Sequence, residues 1–139
     1  MSLAHWPASV PAEPPAWPVP PLPVAMARGF LGRCPACGQG RLFAGFLRVA
    51  PACSHCTAPL GQARADDAPP YFTIVVVGHI VIPLLVIVQG DYNPPTWLMT
   101  AIFLPLTVIL ALGLLRPIKG ATVGVMLTMG LMKPAPAPR

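Results

Sequence analysis

Charge is scarce in this sequence. Only 9% of its 139 residues are Asp, Glu, Lys or Arg, against about 25% in an ordinary soluble domain. Nine basic and four acidic side chains cannot cover the surface of a 14.6 kDa globule, which argues against a compact soluble enzyme with a deep core. The acids, Glu13, Asp66, Asp67 and Asp91, form no paired catalytic set, and Asp66-Asp67 is better read as a cap for the helix that follows. A Ser/His/Asp constellation and a Gly-rich phosphate loop are also missing, so no enzymatic activity is expected. The first 23 residues have neither a basic start nor a continuous apolar run, so they are not expected to be a secretory signal peptide.

Two things are abundant. Hydrophobic residues make up 55% of the chain and proline contributes 21 residues, about three times its usual share. The prolines are dense before residue 24 (Pro7, Pro11, Pro14, Pro15, Pro18, Pro20, Pro21 and Pro23). Proline lacks a donor and fixes φ, so residues 1–27 read as a disordered, polyproline-like arm. Pro11 and Pro14 also give a P-x-x-P match, the form that proline-binding domains take up. Met26 is an alternative beginning for the native chain. Three further segments follow: a basic cysteine module (28–69), a membrane hairpin (70–120), and a short interfacial segment with a proline-rich tail (121–139).

Two uncharged runs, 71–88 and 96–115, define the hairpin. Thirteen of the 18 residues in the first are Phe, Ile, Val or Leu. On an insertion scale they sum to roughly −4 to −8 kcal/mol. The β-branched cluster at Ile74, Val75, Val76 and Val77 suits a buried strand, but strands typically end by about eight residues. The second run spans roughly 30 Å as a helix, the thickness of the hydrocarbon layer. Both are expected to be transmembrane helices. Seven residues, 89–95, join them, so they must be antiparallel neighbours. Residues 120–132 are too few to cross and read as an interfacial or packed segment.

Charge sets the expected orientation. Arg28, Arg33, Arg41, Arg48 and Arg64 precede the first run, Arg116 and Lys119 follow the second, and the connecting loop has no Lys or Arg. The positive-inside rule then puts both termini in the cytoplasm.

The cysteines carry the chemistry. Cys34-Pro35-Ala36-Cys37 and Cys53-Ser54-His55-Cys56 form C-x2-C-x15-C-x2-C, the spacing of a four-thiolate zinc site. Each pair on a tight turn presents two sulfurs to one side, and two such turns complete a tetrahedron around structural Zn²⁺. A disulfide framework needs an oxidising compartment, and a thioredoxin-like pair needs a βαβ setting that is absent. Exchange of zinc or copper, or redox cycling of the pairs, is the alternative. His55 reads as a solvent-facing turn residue. Phe43 and Phe46 are expected to join Leu42 and Leu47 in the module's core rather than to stack on bases, and nucleic acid is not an expected partner.

Arg28-Gly29, Arg33-Cys34-Pro35-x-Cys37-Gly38-x-Gly40-x-Leu42-Phe43, the second cysteine pair, Asp67-Ala68-Pro69 and the two apolar runs together resemble a bacterial "domain of unknown function" family. Its members are small two-helix membrane proteins with a cytoplasmic zinc ribbon. The resemblance covers about residues 28–120; Thr57 stands where the family usually has glycine. It implies a membrane α-helical hairpin with an N-terminal zinc-ribbon-like module, in a bacterial inner membrane. In alphaproteobacteria such members commonly sit beside cytochrome c oxidase assembly genes. That implies an interaction or assembly role with an oxidase subunit or assembly factor as partner, besides the lipid bilayer.

His79 lies near the middle of the first run. An ionisable group at that depth is a functional candidate by default, and a neutral imidazole can ligate haem or copper. The competing reading is a histidine bonded to the neighbouring helix, with Thr107 as the partner.

Overall fold

The computed structural model describes residues 16–63 and 68–132. Three helices, α1 (Leu22–Phe30), α2 (Ala68–Tyr92) and α3 (Thr96–Thr128), are joined by the cysteine module and a short turn. Residues 1–15, and with them the P-x-x-P match, lie outside the described residues, as do Asp66 and Asp67 with their expected capping role.

α2 and α3 are long and apolar enough to cross a membrane. Their hydrophobicity runs all the way round, which suits a lipid solvent rather than an aqueous face. The core helix of a soluble protein would be mostly buried, yet about a tenth of the most apolar window of each is covered within the protein. Ile74, Ile82, Val86, Trp97, Leu104 and Ile109 are all more than half exposed. The two helices meet along one stripe, where Val77 and Val81 pack on Met99 and Phe103, with Leu106, Leu110 and Leu114 continuing the seam. Threonines return their hydroxyls to the preceding turn, Thr73 to the Pro69 carbonyl and Thr107 to that of Phe103, which satisfies these donors within their own helix.

The turn is shorter than the sequence suggested. α2 continues through Gln89-Gly90-Asp91-Tyr92, leaving only Asn93, Pro94 and Pro95 between the helices. Asn93 takes a left-handed φ of 42° and accepts a side-chain hydrogen bond from Gln89 at 2.9 Å. That closes the helix just before two prolines stop it.

Two boundaries differ from the expectation. Residues 22–27, assigned to the arm on proline content, are helical and open α1. Pro21 and Pro23 occupy its cap and first turn, where no intrahelical N–H is needed, and no proline follows to break it. At the other end, the segment after residue 120 is not separate. α3 runs without a break through Arg116, Pro117 and Lys119 to Thr128, roughly 50 Å at helical rise. Its last turns leave the hairpin and enter the cysteine module.

α1 lies across that extension. Ala25 and Gly29 on α1 meet Gly120 and Gly124 on α3, each set four residues apart, and a Cβ added at Gly120 would collide with the Gly29 carbonyl. Small residues at four-residue spacing let two helix backbones approach closely. The same crossing brings Val123 and Leu127 into one core with Leu42, Phe43, Leu60 and the buried cysteines. Phe46 is not part of it. It is 57% exposed because it sits on a tight loop closed by the Ala44 N–H donating to the Arg48 carbonyl at 2.8 Å, and α3 side chains occupy the core in its place.

Gly120→Val should therefore destabilise the α1–α3 junction by about 1–3 kcal/mol. Limited proteolysis in detergent should cut near α1 earlier than in the native protein. Gly113→Val, where nothing lies within 4 Å, should leave the cleavage pattern unchanged.

Candidate metal centre

Two matching turns build the site. In the first, the Gly38 N–H donates to the Cys34 carbonyl at 2.8 Å, and in the second the Thr57 N–H donates to the Cys53 carbonyl at 3.0 Å. Each chain then leaves through a left-handed residue, Gly38 at φ 75° and Thr57 at φ 60°. The second turn thus has the geometry of the first despite a β-branched residue at its exit. The Thr57 hydroxyl donates to the Cys56 carbonyl at 2.7 Å, a local bond that offsets part of the strain. Further N–H groups aim at sulfur: Gln39 at Cys37 Sγ (3.5 Å) and His55 at Cys53 Sγ (3.4 Å).

The turns face one another. Cys34 Sγ lies 3.7 Å from Cys56 Sγ, and Cys37 Sγ 3.7 Å from Cys53 Sγ. All four sulfurs fall within 4.8 Å of one another. Sulfurs about 2.3 Å from a tetrahedral centre would be separated by about 3.8 Å, so the four thiols can hold a single metal ion. No pair is a disulfide. Cys34 and Cys53 are buried, while Cys37 and Cys56 are part-exposed.

Two residues hold this geometry from outside the ligand set. Gly40 lies against Cys53, where an added Cβ would strike the sulfur. Arg28, at the end of α1, donates from Nη1 to the Ala36 carbonyl at 2.7 Å, tying the first turn to the helix. Both belong to the sequence pattern around the cysteines, but spacing alone gave neither a role. His55 is exposed, as expected.

The thiols are unequal. Burial pushes Cys34 up, against opposing bonds from the Cys37 and Ala36 backbone. Burial likewise raises Cys56. For Cys37 burial is outweighed by the Gly40 and Gln39 N–H groups and the neighbouring cysteines, which lower it to about 6. A metal binds thiolate, so loading near neutral pH must expel the protons of Cys34 and Cys56.

His79 stands apart from the cluster. It is on an exposed face of α2, and its Nδ1 meets the Val75 carbonyl of its own helix at 2.8 Å. Thr107, the partner considered for it, is bonded to Phe103 instead.

Beyond the cysteine spacing, the model of one protein family matches residues 43–127, from Phe43, ahead of the second cysteine pair, to Leu127 in the last turn of α3. The chain belongs to the DUF983 family, described as proteins of unknown function. No curated protein and no solved structure matches. In this DUF983 protein the matched region includes α3 beyond the hairpin, the part that joins the membrane helices to the metal centre.

Thr57→Gly should relieve left-handed strain and stabilise the metal-loaded module by about 1 kcal/mol, read as a higher midpoint in thermal unfolding. Apparent metal affinity should fall as pH drops from 8 to 6, by roughly one decade per pH unit for each of Cys34 and Cys56. Competition against a chelator of known affinity measures that slope.

Proposed function

We propose that this DUF983 protein is a membrane-anchored interaction or assembly factor whose cysteine module holds structural zinc and has no catalytic role. The four-cysteine shell carries this reading. Four protein thiolates fill a tetrahedral site and leave no open position for substrate or water, which is the pattern of structural zinc. A module of this size has too little core to fold alone, so the ion contributes much of its folding free energy. The module also shares its core with the last turns of α3. A partner that docks on it is therefore held at a fixed place relative to the membrane. Phe46, exposed on its loop, is the anchor side chain offered to such a partner.

Placement follows from charge. Basic residues cluster on the module and just beyond the apolar part of α3, and the hairpin turn has none. This supports both termini lying in the cytoplasm, with the hairpin in a bacterial inner membrane. Family resemblance directs the search for a partner first to a haem–copper oxidase subunit or one of its assembly factors.

A second reading, exchange of zinc or copper or thiol redox, is favoured by Cys37, whose part-exposed thiol is lowered to about 6 and would be a ready nucleophile without metal. The two readings part on lability. Structural zinc should copurify at one ion per chain and resist mild oxidant, whereas an exchanging site should lose metal readily and form a reversible Cys34–Cys37 disulfide. Photo-cross-linking from position 46 in native membranes should trap one defined protein. Recovery of the uncross-linked chain alone would sink the docking role.

A further inference from the structure

A second built feature lies where the cysteine module meets the membrane helix. Arg33 and Arg41 face each other across an isolated antiparallel bridge. The flanking bonds run from the Cys34 N–H to the Gly40 carbonyl (2.8 Å) and from the Leu42 N–H to the Gly32 carbonyl (3.0 Å). Arg33 and Arg41 are thus the non-hydrogen-bonded kind of pair, in which side chains stand closest, with Cβ atoms about 4.5–5.5 Å apart. Like charges in that position repel unless something of opposite sign sits between them. The single acid among the described residues is Asp91, at the far end of α2, and neither guanidinium forms an ion pair among those residues.

A third arginine completes the arrangement. Arg116 follows directly on the uncharged stretch 96–115 of α3, at the depth where hydrocarbon gives way to headgroups. Its guanidinium lies over the Phe43 ring, 5.1 Å from the centroid, a cation–π contact that orients it. All three arginines are exposed and line one cavity of about 630 Å³. Phe30 and Leu31, on the same cavity, are 51% and 72% exposed. The cavity therefore combines three guanidinium groups, without an ion pair among the described residues, with an apolar border at the membrane boundary.

We propose that this cavity binds the phosphate of an anionic glycerophospholipid from the leaflet on the module's side. Guanidinium groups bind phosphate oxygens bidentately, which relieves the Arg33–Arg41 repulsion, while Phe30 and Leu31 accept the start of the acyl chains. A free phosphate ion satisfies the arginines but leaves those two side chains in water, and a nucleic acid can stack a base on Phe30 but leaves the aliphatic Leu31 without an apolar partner, so a lipid fits the whole cavity best. The proposal is independent of any protein partner and of the identity of the metal.

The test uses the full chain, metal-loaded, in detergent and in nanodiscs. Native mass spectrometry should show phosphatidylglycerol retained in preference to phosphatidylcholine. Arg33→Gln/Arg41→Gln should weaken that preference by about fivefold for each arginine removed. Arg116→Gln, which leaves the bridge residues intact, should weaken it similarly. Arg48→Gln, an exposed arginine outside the cavity, should not change it. Metal content equal to the native protein's identifies the variants that remain folded. Equal retention of the two lipids, an equal loss with Arg48→Gln, displacement of lipid by millimolar inorganic phosphate, or a preference for a single-stranded oligonucleotide over lipid would each overturn the proposal.

Discussion

The backbone contact between α1 and the far end of α3 is the constraint on which the rest of the molecule depends. Ala25, Gly29, Gly120 and Gly124 carry no side chain beyond a methyl group, so the two helices approach at backbone distance. That approach lets Val123 and Leu127 reach the cysteine module, and Arg28 reach the Ala36 carbonyl in the first cysteine turn. Without it the module would be a small ribbon on a tether. With it, the end of a membrane helix and the four-cysteine module share one hydrophobic core, braced by the crossing helix.

This arrangement joins two different solvents. The hairpin keeps its apolar surface outward and needs lipid for stability, since few of its side chains are covered by protein. The module turns its core residues inward, with Leu42, Leu60 and Cys34 fully buried, and a metal held by its four cysteines would add further stability. α3 passes from one regime to the other. Arg116 marks the change, pairing with Phe43 of the module one residue beyond the uncharged stretch. The cavity with three arginines sits at that same junction, where a phosphate and an apolar chain are available together.

The local pattern carried much of this architecture. Uncharged runs of sufficient length identify membrane helices because the bilayer sets their length directly. Cysteine spacing identifies a metal site because two tight turns present sulfurs in only a few ways. Other features were not legible for physical reasons. The helical state of residues 22–27 was masked by proline content, since prolines at a helix start and prolines in a coil have the same composition. The continuity of α3 was masked by Arg116, Pro117 and Lys119, which resemble a boundary in one dimension. Phe46 has the pattern of a core residue, and the sequence does not reveal that a distant helix fills that space with Val123 and Leu127.

By itself the sequence determined that two helices are long and apolar enough to cross lipid and that four thiols would come within reach of one metal ion, since both follow from short-range periodicity and spacing. Only the tertiary structure decided that the two parts form one body. That depends on Gly29 meeting Gly120 across 90 residues of chain, a contact whose signal is the absence of side chains. The same long-range packing placed Arg33, Arg41 and Arg116 around one cavity. Arginines from the cysteine module and from α3 became, through folding, neighbours on one cavity.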